Sequence, residues 1–413
     1  MKRIKDKVYD IAKYYSPKVG LDLPYFIKGG FWLSVGQFFS LLKAFILSLL
    51  FANFLPKEIF GQYTFVMSIL GVIAIFSLPG MVSAIIHAVA RGKEGTYFKA
   101  LKLVFKWSWL GSLSLVIVAL YGKLVGREYG SLIFLILASI YPFYAISIHY
   151  IDFFNGKKMF DLQVKLSSIF SIISMIFIAL TIFLTGSVFW IVLVTVLIQI
   201  FIQGYFSLIL VKKYMENKKV SKQDLDFGKK TSFSLALYTI AEKIDNLILT
   251  FFLGFENLAI YTIVILLPNQ LKTLSKTFTP LLLPKLAKQN VNKKQIMSHF
   301  WKLLLVCIGL IILYTLFAPF IFKWFYPKYS NFVLLSIIFN FSFIVFSSII
   351  FQNYLIKLRR TKELNKIFNL SSIYLILGSF ILIYFFGLIG AVINRILYRI
   401  IYFVLFLLAV KKE

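Results

Sequence analysis

Apolar runs of 21 to 28 residues follow one another along the chain with only short polar breaks between them. Each is long enough to cross a bilayer as a helix, which needs about 20 residues. The pattern predicts spans near 29–54, 63–90, 97–121, 130–151, 163–184, 187–211, 231–253, 258–282, 300–322, 330–354, 366–386 and 388–410. The predicted fold is therefore all-α, a polytopic membrane protein with about 12 transmembrane helices. Residues 1–28 show Ile4, Val8, Ile11 and Tyr15 at helical spacing opposite lysines, with Ser16-Pro17 ending the pattern. That reads as a cytoplasmic amphipathic arm lying on the bilayer rather than a cleaved leader. Pro79-Gly80 predicts a kink in the second span.

The pattern also repeats. Shifted by 198, LPKEIFGQYT (55–64) lies over LGFENLAIYT (253–262) without a gap, matching Leu, Glu, Tyr and Thr. Six spans fall on each side of the charged stretch 212–230, which reads as a solvated cytoplasmic linker. An even number of spans per half gives two parallel six-helix lobes, 29–211 and 231–413, with a site expected between them near the midplane.

Composition agrees. The 413 residues are 60% hydrophobic and the mean hydropathy is +0.86. Twelve spans leave no stretch for a soluble catalytic domain, so no enzyme activity is expected. One cysteine, three scattered histidines and no HExxH or CxxC give no reason to expect a metal or other cofactor. GKKT (228–231) lacks the upstream glycine of a phosphate-binding loop. The net charge of +29 raises the question of nucleic acid, but its distribution answers it. With the N-terminus inside, 34 of the 45 Lys and Arg fall in inside segments and five in outside loops. That asymmetry is a topology signal. It places both termini in the cytoplasm, expects no nucleic-acid partner, and makes the lipid bilayer the partner of the basic surface.

The remaining six basic residues lie within spans: Lys43, Lys243, Lys272, Lys276, Arg395 and Arg399. Only Glu242 and Asp245 oppose them there. A charge at mid-span costs about 2.5–3.5 kcal/mol on insertion scales, so the central ones face protein or a water-filled cavity; Lys272 and Lys276, nearer the inner surface, can equally snorkel to headgroups. Two readings stand. Glu242 and Asp245 form ion pairs that lock helices, with Lys43 or Lys243 as the expected partner of Asp245, or they serve ion coupling. In the second reading, the cationic surplus of Lys43, Lys243, Arg395 and Arg399 binds an anionic substrate. In span twelve, Asn394, Arg395, Tyr398, Arg399 and Tyr402 form one stripe at helical spacing. His149 and Asp152, three apart, read as a local polar pair.

FGQY (60–63), GKKMF (156–160) and the run 245–262 resemble the Wzx-type polysaccharide flippases of the multidrug/oligosaccharidyl-lipid/polysaccharide exporter superfamily. The resemblance implies two six-helix lobes, alternating access, and flipping of a polyprenyl-diphosphate-linked oligosaccharide across the cytoplasmic membrane. It also implies work alongside glycosyltransferases and a polysaccharide polymerase. A membrane glycosyltransferase or polymerase, or a drug/cation exporter of the same superfamily, is the alternative. The first usually needs a long outside loop and the last an acidic cavity.

Overall fold

The structure is a computed structural model and describes residues 23–124, 128–288, 293–358 and 360–411. Residues 1–22 of the expected amphipathic arm lie outside the described residues. The described residues are helical, with no strand among them. The first half runs α1 (Leu23–Phe54), α2 (Lys57–Ile73), α3 (Met81–Ala90), α4 (Thr96–Leu124), α5 (Glu128–Ser147), α6 (Tyr150–Gly156), α7 (Phe160–Thr185), α8 (Val188–Ile198) and α9 (Val211–Tyr214). The second runs α10 (Lys222–Lys288), α11 (Lys293–Phe325), α12 (Val333–Phe341), α13 (Ile349–Lys357) and α14 (Thr361–Lys411).

Among the described residues, ten segments are long and apolar enough to cross a membrane. Two of them, Lys222–Gln270 and Lys362–Val410, are 49 residues each. A straight helix of that length would be about 74 Å long, over twice a hydrocarbon core of about 30 Å. Both double back at a glycine: Gly254 has φ 82°, ψ 179° and Gly387 has φ 58°, ψ −133°. Ten segments thus make twelve crossings. Contacts across each turn show the antiparallel return. Tyr261 donates its hydroxyl to Asp245 Oδ2 at 2.6 Å, and Asn394 Nδ2 donates to Ser379 Oγ at 2.8 Å. Under the 198-residue shift, Gly254 falls on Pro56, which opens the turn between the first two spans. The repeat read in the sequence therefore has its chain reversal at the same place in both halves.

The expected kink is a full break. After α2 the chain makes a tight turn over Ala74–Ser77, and Leu78 takes φ 53°. Gly80 then meets the α10 backbone so closely that a Cβ there would lie 2.3 Å from the Gly228 carbonyl oxygen. The freed Gly80 N–H donates to Ser232 Oγ at 3.0 Å.

One buried apolar core is drawn from residues 66–225 and another from residues 296–410. A third, from Phe51 to Val392, joins both halves. Short connections collect on two faces. On one, Lys157 Nζ lies 3.0 Å from Glu94 and 2.7 Å from Glu216. The Glu216 N–H donates to Glu94 Oε2 at 2.6 Å, and the Ser221 N–H to Thr96 Oγ1 at 2.8 Å. Within 212–230 most of the lysines are exposed, and only 215–221 is non-helical; that segment is pinned to the first half by buried Glu94 and Thr96. On the opposite face, Lys328 donates to the carbonyls of Asn53 (2.8 Å) and Leu55 (3.4 Å), and Asn53 Nδ2 donates to that of Phe325 at 2.9 Å.

The Gly254 conformation is one that essentially only glycine adopts, and forcing another residue there costs about 1–3 kcal/mol. A Cβ there would meet nothing within 4 Å, so Gly254→Ala tests backbone strain alone. We expect it to lower the melting temperature of the detergent-purified protein. Gly204→Ala, also into open space but at φ −62°, should not.

Candidate functional site

The two halves meet along a seam of small residues on α2 and α3 facing α10. From one face to the other, Gly80 meets Gly228, Gly71 meets the Lys243 stem, Ser68 meets Asn246, and Gly61 meets the Phe255 carbonyl. Small side chains let backbones approach where lipid offers no hydrophobic drive between helices. Asn246 Nδ2 donates to Ser68 Oγ at 2.8 Å across this seam.

Beside it the charged residues divide into two groups. Asp245 is 0% exposed, and Arg395 clasps it with two hydrogen bonds, Nε to Oδ2 at 2.6 Å and Nη2 to Oδ1 at 2.9 Å. Such forked pairing is the geometry arginine offers and lysine does not. Arg395 Nη2 also donates to the Glu242 carbonyl at 2.8 Å, and its Nη1 lies 3.9 Å from Glu242 Oε2. Asp245 is further held by Tyr261 and by the Asn246 N–H at 3.0 Å. The expected partner of Asp245 was Lys43 or Lys243; its partner is Arg395. The reason is direction. Asp245 points into the second half, toward α14, whereas Lys243 lies on the other side of the same helix.

Arg399 is 6% exposed, one turn beyond Arg395. Its Nη1 donates to Ser342 Oγ at 2.7 Å and its Nη2 to Asn269 Oδ1, and its guanidinium carbon sits 4.4 Å from the Phe339 ring centroid. Arg399 also borders a cavity of ≈310 Å³ together with Tyr238, Gln352, Phe368, Tyr398 and Tyr402. Every wall comes from residues 235–402, so the cavity belongs to the second half alone. The stripe on span twelve does face protein, but it faces this half's interior and not the seam. Glu242, Asp245, Arg395 and Arg399 together carry no net charge.

Lys43 and Lys243 are the second group. Lys43 is half-buried with its Nζ 4.5 Å from the Phe170 ring centroid on α7. Lys243 is exposed, its stem crossing Gly71 of α2. Among the described residues neither has a carboxylate in salt-bridge reach. The side chains of Lys272 and Lys276 lie outside the described ones. His149 Nδ1 and Asp152 Oδ2 are 2.7 Å apart and buried, a local pair as expected. Sequence reasoning missed Tyr238, Asn269, Ser342 and Ser68. Tyr261 was visible only as a repeat match to Tyr63. No group of metal-ligating side chains exists among the described residues.

Comparison with known proteins fits this geometry. The family described as "Polysaccharide biosynthesis protein" matches residues 26–267, more than half of the chain. The chain belongs to this polysaccharide biosynthesis family. No curated protein matches it in sequence. Its fold is that of solved transporters of the multidrug/oligosaccharidyl-lipid/polysaccharide superfamily. The lipid II flippase MurJ in an inward closed conformation is 16% identical, covering 92% of this chain and 87% of that one at a TM-score of 0.70. An outward-facing multidrug resistance MATE family transporter is 12% identical over 94% and 95%, at a TM-score of 0.64. A superfamily transporter from Pyrococcus furiosus, described as having a binding pocket of reverse polarity, is 13% identical over 94% and 95%, at a TM-score of 0.66. This family member is thus a multi-pass membrane protein with a transporter fold.

Breaking a buried ion pair by removing one partner costs about 3–5 kcal/mol, because the other charge is stranded. Asp245→Asn and Arg395→Gln are each expected to reduce membrane abundance and melting temperature sharply. Their combination should be milder than additive, and Lys243→Gln should not rescue Asp245→Asn. Rescue by Lys243→Gln would instead make Lys243 the partner.

Proposed function

We propose that the protein flips a polyprenyl-diphosphate-linked oligosaccharide across the cytoplasmic membrane by alternating access, as a step in cell-surface polysaccharide biosynthesis. Family membership and the transporter fold support the class of activity. The observation that carries the substrate is the pair of intramembrane lysines left without a carboxylate, Lys43 and Lys243. A cation held within the membrane and not matched by the protein is stable next to water or an incoming anion. The diphosphate and any acidic sugar supply that anion, while the polyprenyl tail stays in lipid. The arginines, included in the substrate-binding set on sequence grounds, act in this reading on the structure of the second half: Arg395 is taken up by Asp245, and Arg399 braces spans eight, ten and twelve. Glu242 and Asp245 balance them. Rocking of the halves about the α2–α10 seam then carries the head across.

In this reading the face bearing Glu94, Lys157 and 215–221 is cytoplasmic, as are both termini. Glycosyltransferases that build the glycan act on that side, and a polymerase that consumes it acts on the other.

Two experiments test the reading. Glycan export is measured in cells lacking their own flippase, with protein amount followed by blot. The double variant Lys43→Gln, Lys243→Gln is expected to lose at least ~10-fold in export at normal abundance, a transition-state or binding loss of about 1.4 kcal/mol or more. The Lys→Arg pair should keep most of it. Full export by the double glutamine variant would end the substrate assignment. Orientation is tested separately by single-cysteine labelling in a Cys307→Ser background. Lys219 and Thr185 are exposed and are the chosen sites; Ser221 is buried. An impermeant reagent should label Thr185→Cys in intact cells and Lys219→Cys only after permeabilisation; the reverse would invert the topology.

A further inference from the structure

A second strongly charged site lies between α4 and α10, beside the Gly80–Gly228 end of the seam. On α4, Lys99, Lys102 and Lys106 share one helical face and are exposed. On α10, Lys222, Asp226 and Lys229 share another. The two faces border a groove of ≈420 Å³ floored by Leu103 and Leu225. Five lysines line it against a single carboxylate, Asp226, which lies 3.3 Å from Lys229. The nearby acids are already engaged: Glu94 by Lys157 and Asp224 by Arg91. Like charges gathered on two helices repel unless something neutralises them.

The groove's position says what does so. The face of α4 that carries the lysines continues, at the same helical angle, as Leu110, Leu113, Ile117 and Leu120. Leu113 is 57% exposed and Ile117 59%. The α10 face likewise continues from Lys229 to exposed Phe233, whose ring meets Trp107 edge-on at 5.9 Å. Tryptophan is enriched at the membrane–water boundary. Cationic groups therefore sit just above an exposed apolar strip, with aromatic rings between them. A soluble anion has no use for the strip, and a neutral lipid none for the lysines.

We propose that this groove binds the phosphate headgroup of an anionic glycerophospholipid, whose acyl chains run along Leu110, Leu113, Ile117 and Leu120. Basic pockets between transmembrane helices on the inner side are suited to such headgroups. The lipid would bridge α4 in the first half to the start of α10, the element that opens the second. The inference does not depend on what the protein transports.

The test uses the full-length protein in detergent, with bound lipid counted by native mass spectrometry. The probes are phosphatidylglycerol, phosphatidylcholine and inorganic pyrophosphate. Phosphatidylglycerol should be retained in preference to phosphatidylcholine, and pyrophosphate should not displace it at equal concentration. Replacing Lys99, Lys102 and Lys106 by Gln should weaken phosphatidylglycerol binding by about fivefold per lysine. Replacing them by Arg should preserve it. Replacing the exposed Lys212, Lys213 and Lys219 by Gln removes equal charge outside the groove and should change little. Equal losses in the two glutamine triples, no preference over phosphatidylcholine, or capture of pyrophosphate in place of the lipid would each overturn the proposal.

Discussion

A single forked contact between buried side chains within the apolar spans, Arg395 on Asp245, ties together two helical hairpins that each turn on a glycine. Asp245 lies in the first hairpin, turned at Gly254, and Arg395 in the second, turned at Gly387. Each hairpin also has its own polar clasp, Tyr261 to Asp245 in one and Asn394 to Ser379 in the other. The pair satisfies the carboxylate with three side-chain and one backbone donor. Two desolvated charges break even only when their remaining hydrogen-bonding capacity is also met; the Asp245 carboxylate is fully engaged, while Arg395 Nη1 has Glu242 Oε2 at 3.9 Å. Asn246, the next residue, reaches across the seam to Ser68. One residue step along α10 thus separates the bond that holds the second half together from a bond that joins the halves.

The consequence for charge is a division of labour. Glu242, Asp245, Arg395 and Arg399 cancel in formal charge, and Tyr261 beside them donates to Asp245 without adding charge. The surplus is left to lysines near the first half. In the proposed alternating-access cycle, movement of one half against the other need not disturb the quartet. It must instead break the contacts on the face opposite the basic loops. There Ser48 bonds Tyr326 at 2.7 Å, Asn53 bonds the Phe325 carbonyl, and Lys328 caps Asn53 and Leu55. Each such bond is worth about 0.5–1.5 kcal/mol net. Their sum is a few kcal/mol, the size of differential affinity that moves a two-state equilibrium from one side to the other. The same region holds Phe51, Leu55, Phe322, Tyr326 and Tyr329 of the apolar core that joins the halves, so opening it also exposes apolar surface.

Much of this was legible in the sequence. The lengths of the apolar runs gave the crossings, because water-free surroundings leave the backbone few choices. The match of 55–64 to 253–262 located equivalent chain reversals, though not that the second is a glycine turn within continuous helix. The stripe on span twelve correctly put Arg395 and Arg399 away from lipid. Helical periodicity stops there. It says that a face is inward, and a twelve-helix protein has two kinds of inside, the core of each half and the seam between them. Nothing in the spacing of Asp245 distinguishes Arg395, 150 residues away, from Lys243, two residues away. Proximity in sequence favoured the wrong partner, since residues two apart on a helix point some 200° apart. Ser342 and Asn269, which hold Arg399, are ordinary span residues with no pattern of their own.

The charged linker shows the same limit from outside the membrane. Counting charges makes 212–230 a basic, solvated run, but its acids matter more than its lysines. Burial pulls the Lys157 ammonium down, and the carboxylates of Glu216 and Glu94 more than offset it, so its pKa lies above the usual lysine value of 10.5. A raised lysine stabilises the fold fully below its ordinary value and loses that contribution only as pH climbs through the raised one. The clasp is therefore constant across physiological pH. It fixes the linker to the 91–96 turn, and with it the start of α10. Because Glu94, Glu216 and Asp224 are engaged by Lys157 and Arg91, the neighbouring lysines of α4 and α10 are left with Asp226 alone. The positive balance of this face thus has two physical sources: the excess of lysine over acid in its sequence, and the commitment of the few acids to holding the halves in register.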